Sequence, residues 1–376
     1  MPYGAEFGER ATAFRLWAPA VARVDLILGA DARRSELALS ARDGGWYERT
    51  VDGVGAGTPY AFRIDRGITV PDPASRANPD GVHGPSVVVD PVGYAWRDAP
   101  WRGRAWDEAV LYELHIGTFT PGGTFAAAIE RLDDLADLGI TAIELMPVAA
   151  FPGVRNWGYD GVLPFAPASS YGTPDDLKRL VDEAHARGLM ILLDVVYNHF
   201  GPEGNYLHAY APQFFNPHHP TPWGAAINFD GDDCRTVREF FIHNACYWLE
   251  EFHFDGLRLD AVHAIVDTSQ PDFVSELASR VRTSFANARH VHLVLENDRN
   301  EARYLGRDAA RRPSVATAQW NEDLHHSLHV LATGERDGYY ADYAADPLAC
   351  FGRALAEGFV YQGQASAYRG GAPRGE

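Results

Sequence analysis

The 376-residue sequence predicts an α/β protein, with a parallel sheet or barrel behind a small antiparallel β-sandwich. Three observations carry that reading. Apolar residues alternate with period two through the first hundred positions. Beyond them, apolar runs alternate with amphipathic helical stretches. Charged residues stand at the ends of several of those runs, which is where a parallel barrel keeps its chemistry.

In chain order, Thr12–Trp17, Arg23–Leu28, Trp46–Val51 and Tyr60–Ile64 read as strands, divided by Gly-rich turns such as Asp43-Gly44-Gly45. Residues 71–100 are rich in Pro, Asp and Gly and read as a linker wrapping onto the next domain. Strands follow at Val110–Phe119, Thr141–Pro147, Leu189–Val196, Gly256–Ala261, Val291–Leu295 and Ser314–Gln319. Helices are expected at Phe125–Leu138, from Thr173 to Arg187, and at Val237–Phe252, Pro271–Ala288 and Pro347–Val360. The second of these opens with a capping threonine, Pro174 and two aspartates, a strong start signal. Right-handed βαβ crossovers stack such units into a barrel or an open sheet. A barrel needs about eight strands and six are visible, so either the sheet is open or the chain stops before its barrel closes.

Composition narrows the function. A hydrophobic content of 46% with 12% aromatic residues builds a large core and excludes a disordered chain. The net charge of −18 argues against nucleic acid and anionic membrane as partners, since both want a basic patch. A neutral substrate would not be repelled. Cys234, Cys246 and Cys350 form no CxxC pair and read as reduced thiols in a cytoplasmic protein. No signal peptide is visible at the N-terminus, and no apolar run of about 18 residues suggests a membrane span.

The chemistry follows the strands. The third ends in Asp194-Val195-Val196-Tyr197-Asn198-His199. In the fourth, Arg258 and Asp260 are two apart and project to one side, so the arginine keeps the carboxylate ionised. The fifth ends at Glu296, whose apolar neighbours favour its protonated form. One ionised and one protonated carboxyl group are what retaining glycoside hydrolysis requires.

These residues resemble the alpha-amylase family of glycoside hydrolases. Asp194-x-x-x-Asn198-His199 is similar to its first motif, Gly256-x-Arg258-x-Asp260 to its second and Glu296 to its third. Trp157-Gly158-Tyr159-Asp160 with Tyr171-Gly172 is similar to its sugar-stacking loop. The resemblance implies a (β/α)8 TIM-type barrel, incomplete here at six of eight units, over residues 96–376. An immunoglobulin-like, glucan-binding sandwich would occupy residues 1–95. It implies Asp260 as nucleophile and Glu296 as general acid/base. Tyr159, His199, Arg258 and His263 would contact substrate, with Asp194 and Asn198 as structural support.

Within the family, the runs Asp194–Tyr206, Thr221–Phe229, Leu257–Ile265 and Gln319–His326 resemble the trehalose-releasing branch. That branch cleaves the α-1,4 bond next to the terminal trehalose of malto-oligosyltrehalose. The resemblance implies that substrate and related α-glucans, Glu322 and Asp323 at the trehalose end, and a malto-oligosyltrehalose synthase as functional partner. A branching or debranching enzyme is the first alternative, and an inactive carbohydrate-binding fragment is the second. The family's fourth motif, Asn-His-Asp after the seventh strand, does not occur in this sequence. With the strand count, that leads to the expectation of an incomplete chain.

Blander roles stand beside these. His325 and His326 resemble a metal pair, but neighbours on a helix point about 100° apart. No acidic cluster adjoins Asn198, so no required metal or other cofactor is expected. His263 reads equally as a packed histidine. Trp17, Trp46 and Trp248 read as core.

Overall fold

Six parallel strands form the central sheet in a computed structural model that describes residues 2–30, 34–221, 224–285 and 288–376. They are β1 (Leu111–Leu114), β2 (Ala142–Leu145), β3 (Met190–Val195), β4 (Gly256–Leu259), β5 (His292–Glu296) and β6 (Ala318–Trp320), hydrogen-bonded in that order. β2, β3 and β4 are buried at every position, as strands covered on both faces must be. That is why their sequences read as continuous apolar runs.

Five longer helices accompany the strands: α1 (Pro174–Ala186), α2 (Cys234–Glu251), α3 (Phe273–Phe285), α4 (Glu322–Thr333) and α5 (Pro347–Glu357). α1 begins with a complete capping box. The Thr173 hydroxyl accepts from the Asp176 N–H, and the Asp176 carboxylate accepts from the Thr173 N–H. Such a cap contributes about 1 kcal/mol. Leu177, Leu180, Val181 and Ala184 form the face that α1 buries.

Several expected elements differ. The strand expected over Ser314–Gln319 is confined to Ala318–Trp320. The strand from Val110 ends at Leu114, because His115 caps a short helix at Ile116–Phe119. The helix expected over Phe125–Leu138 is two pieces, Phe125–Ile129 and Leu132–Asp137, broken at Arg131. The expected last turn of α3, at Ala286 and Asn287, lies outside the described residues.

The N-terminal region pairs two antiparallel sheets. One holds Glu6–Phe7, Ala11–Trp17, Trp46–Asp52 and Ser40–Arg42, and the other is built around Val24–Leu28 and Pro59–Ile64. Their core runs without interruption into the parallel unit, joining Phe14, Leu26 and Phe62 to Leu193, Phe240 and Leu257. Trp17 and Trp248 are buried and Trp46 packs against the same core.

The linker docks onto the parallel unit through ion pairs whose Asp182 and His185 ends are buried. Arg97 Nε donates to Asp182 at 2.7 Å. Asp98 accepts from His185 Nδ1 at 2.9 Å and from His253 Nδ1 at 2.8 Å. His185 Nε2 bonds to Asp255 at 3.0 Å, so both its ring nitrogens donate, as an imidazolium requires. Burial opposes that charge, but the bonds to Asp255 and Asp98 outweigh it and the His185 pKa is raised. This contribution is therefore complete below the ordinary histidine value and is lost as pH rises through the raised one. Urea unfolding between about pH 6 and about pH 9 should show a stability loss that His185→Gln removes. An unchanged pH slope in the variant would contradict this.

No helix among the described residues is long and apolar enough to cross a membrane. All three cysteines are free thiols.

Candidate active site

The C-terminal ends of β3, β4 and β5 bring four charged groups together. Asp194 lies in β3, Arg258 in β4, Asp260 directly after β4, and Glu296 ends β5. Asp194 and Arg258 are register partners across neighbouring strands. Arg258 Nη1 donates to Asp194 Oδ2 and to Asp260 Oδ1, each at 2.7 Å. Its Nη2 lies 3.0 Å from Glu296 Oε2. The guanidinium also sits 5.5 Å from the Trp320 ring centroid.

One arginine cannot neutralise three carboxylates, so the cluster retains a proton. Glu296 is raised to about 7, first by burial and further by Asp260, with Arg258 opposing. Burial likewise pushes Asp194 up to about 7 against the pull of Arg258. Asp260 is close enough to Glu296 to share a hydrogen bond once a proton is present.

The surroundings fix each group. Asn198 Nδ2 donates to Asp260 Oδ2 at 2.8 Å and to its backbone carbonyl at 2.9 Å. Tyr159 donates its hydroxyl proton to Asp194 at 3.0 Å. His199 Nε2 donates to the Tyr159 carbonyl at 2.9 Å, and burial lowers its pKa, so its ring is neutral. Gly158 stands at φ +106°, and a Cβ there would overlap the Pro147 carbonyl oxygen. Only glycine lets the Tyr159 loop lie so close to the sheet.

The structure thus gathers Asp194, Asn198, His199, Arg258, Asp260, Glu296 and Tyr159 at one strand end. His263 is half-buried beside them, with Nδ1 accepting weakly from the Asp298 N–H at 3.4 Å. Burial lowers the His263 pKa.

Glu322 and Asp323 behave differently. Glu322 is partly buried and receives His326 Nε2 at 3.0 Å. Asp323 does not reach the cleft, because its exposure is 0%. It accepts from Asn300 Nδ2, the Tyr343 hydroxyl and the N–H groups of Val360 and Tyr361, and pairs with Arg374 at 3.0 Å. The expected sugar contact is instead a buried clamp. Glu322, His325 and His326 hold their ligand atoms within 4.8 Å of one another, because the two imidazoles lie three and four residues beyond one glutamate. Their convergence differs from the expectation that neighbouring histidines on a helix point apart.

Three contributors escaped the sequence. Glu144 in β2 is fully buried, and neither of its oxygens finds a hydrogen-bond partner among the described residues. Burial, then Asp194, raises it to about 8, so it is a neutral acid under the cluster at pH 7. A lone glutamate inside Ala142–Leu145 was the available signal. Trp320 ends β6 opposite Glu296. Ala261 takes φ +40°, a costly conformation for alanine, and its N–H donates to Glu296 Oε2 at 2.7 Å.

Residues 70–222 match the family described as alpha amylase, catalytic domain, and residues 2–91 match carbohydrate-binding module 48, the isoamylase N-terminal domain. A malto-oligosyltrehalose trehalohydrolase from Mycobacterium tuberculosis is 45% identical over 361 residues, which is 95% of this chain and 60% of the relative. Both regions of the chain are thus similar to proteins of the alpha-amylase family.

Further similar proteins lie at different distances. A solved Salmonella typhimurium structure assigned as an alpha amylase superposes with a TM-score of 0.95 at 49% identity, covering 99% of this chain and 62% of that one. A 1,4-alpha-glucan branching enzyme from Corynebacterium efficiens is 32% identical, covering 85% of this chain and 47% of the relative. The chain therefore spans about 60% of the length of the trehalohydrolase relative. Pro222 and Trp223 of the expected 221–229 run lie outside the described residues.

Proposed function

We propose that the protein hydrolyses the α-1,4 bond beside the terminal trehalose of malto-oligosyltrehalose, with retention at the cleaved anomeric carbon. The observation that carries the chemistry is one guanidinium gripping Asp194, Asp260 and Glu296. The substrate is taken from relatives named malto-oligosyltrehalose trehalohydrolase, which are nearer than the branching enzyme.

Asp260, held by Arg258 and Asn198, attacks the anomeric carbon. Glu296 passes its proton to the departing glycosidic oxygen, and trehalose leaves. The Glu296 carboxylate then takes a proton from water, which attacks the glycosyl–Asp260 ester and frees the shortened oligosaccharide. Tyr159 would support the sugar ring, with His199 and His263 as neutral contacts for its hydroxyls. The catalytic unit would comprise residues 96–376, and residues 1–95 a glucan-binding sandwich. A malto-oligosyltrehalose synthase would supply substrate, in a cytoplasm that keeps the three free thiols reduced.

Because Glu296 must enter the first step protonated and its pKa lies at about 7, turnover should fall as pH rises above about 7. An unchanged rate at about pH 9 would exclude Glu296 as the acid. For the substrate, the full-length protein is incubated with maltotriosyl trehalose and, separately, with amylose. Free trehalose from the first is expected. New branch points in the second, without trehalose from the first, would make it a branching enzyme.

A further inference from the structure

Among the described residues, one group of three His, Cys, Asp or Glu side chains brings its ligand atoms together, at the start of α4. Both imidazoles meet the same carboxylate oxygen. His326 Nε2 lies 3.0 Å and His325 Nδ1 3.8 Å from Glu322 Oε2. An ion pair with His326 explains only the shorter contact. The exposed His325 is too far for a hydrogen bond, yet it turns Nδ1 to that oxygen. The catalytic steps use none of the three.

The group stands on a rigid base. Asn321 caps α4 by accepting from the Leu324 N–H at 3.1 Å, and the Asp323 clamp ties the next residue to Val360 and Tyr361. His326 is 8% exposed, with its ring stacked on Tyr339 at 4.4 Å and edge-on to Tyr340 and Tyr343. Its Nδ1 has no hydrogen-bond partner among the described residues, so no donor locks that nitrogen as an acceptor. The Nδ1–H tautomer, which frees the Nε2 lone pair for an ion, is therefore open to it. Glu322 is held ionised, first by its bond to His326. Arg374, whose charge also reaches Glu322, is already paired with Asp323 at 3.0 Å.

We propose that Glu322, His325 and His326 form a transition-metal site, open to water at its remaining positions. Two imidazole nitrogens and one carboxylate oxygen suit Zn²⁺, Ni²⁺ or Cu²⁺, whereas Mg²⁺ and Ca²⁺ take oxygen donors. Ligand atoms around a tetrahedral zinc stand about 3.3 Å apart, and the two contacts to Glu322 bracket that spacing. The two imidazoles, within 4.8 Å of each other, close up by rotation of His325, which its exposure permits. α4 follows β6, whose Trp320 is the register partner of Glu296, so the ion binds beyond the catalytic set and takes no part in its chemistry. Because only the folded helix gathers these ligands, the ion fastens the start of α4 and stabilises the native state.

The test uses tag-free, full-length protein stripped with a chelator, and Zn²⁺ alone as the probe. Calorimetric titration should give one ion per chain, and Tm should rise with it. His325→Gln, which alters only an exposed side chain, and Glu322→Gln should each weaken that ion at least tenfold and remove the rise in Tm. Co²⁺ in place of zinc should give visible d–d bands with no thiolate-to-metal band in the ultraviolet, which separates the site from the three free cysteines. Mg²⁺ in tenfold excess should not displace the zinc. Failure to bind zinc, zinc binding unchanged in both variants, a thiolate band, or displacement by Mg²⁺ would each overturn the inference.

Discussion

Asp260→Asn and Glu296→Gln, each in the full-length protein, should lower kcat on malto-oligosyltrehalose by about 1,000-fold or more. Both replacements keep size and hydrogen-bonding shape, so Arg258 retains partners and the fold should persist. The two variants should nevertheless differ. A maltosyl fluoride needs no proton for its leaving group, so Glu296→Gln should still transfer its glycosyl group to Asp260. Asp260→Asn should fail on the fluoride as well, because no nucleophile remains. Steady-state rates on the two substrates measure this directly. Near-normal turnover in either variant would remove that residue from its role.

Asp323→Ala should destabilise the protein by about 3–5 kcal/mol. The substitution strands Arg374, itself 6% exposed, and leaves the N–H groups of Val360 and Tyr361 without their acceptor. Combining it with Arg374→Met should recover part of the loss, because the buried cation goes too. Urea unfolding of the single and double variants gives both numbers. KM of the folded fraction should not move, since Asp323 faces the α4–α5 region and not the cleft. A loss below about 1 kcal/mol together with a raised KM would return Asp323 to substrate binding.

How much of this was legible follows from what one sequence can encode. Strands β2 to β5 stand within two residues of their expected limits, because buried parallel strands are continuous apolar runs. Arg258 and Asp260 could be paired from spacing alone, since side chains two apart on a strand share a face. The convergence of Asp194 and Glu296 on the same guanidinium needed the neighbouring strands in register.

The parts that were not legible depend on distant contacts. Asp323 looked like a sugar ligand by position, but its partners Val360, Tyr361 and Arg374 come 37 to 51 positions later in the chain. Local pattern cannot see such a pairing. The break at Arg131 interrupts a helical periodicity that continues on both sides of it. The strained Ala261 has no composition signal, because alanine is usually chosen where φ is negative.

The central claim is retaining release of trehalose by the Asp260–Glu296 pair. Proton NMR of full-length protein acting on maltotriosyl trehalose tests it in one measurement, by following the first turnovers before the new reducing end mutarotates. The account predicts free trehalose together with maltotriose formed first as the α-anomer. Maltotriose appearing first as the β-anomer, or cleavage without free trehalose, would contradict it.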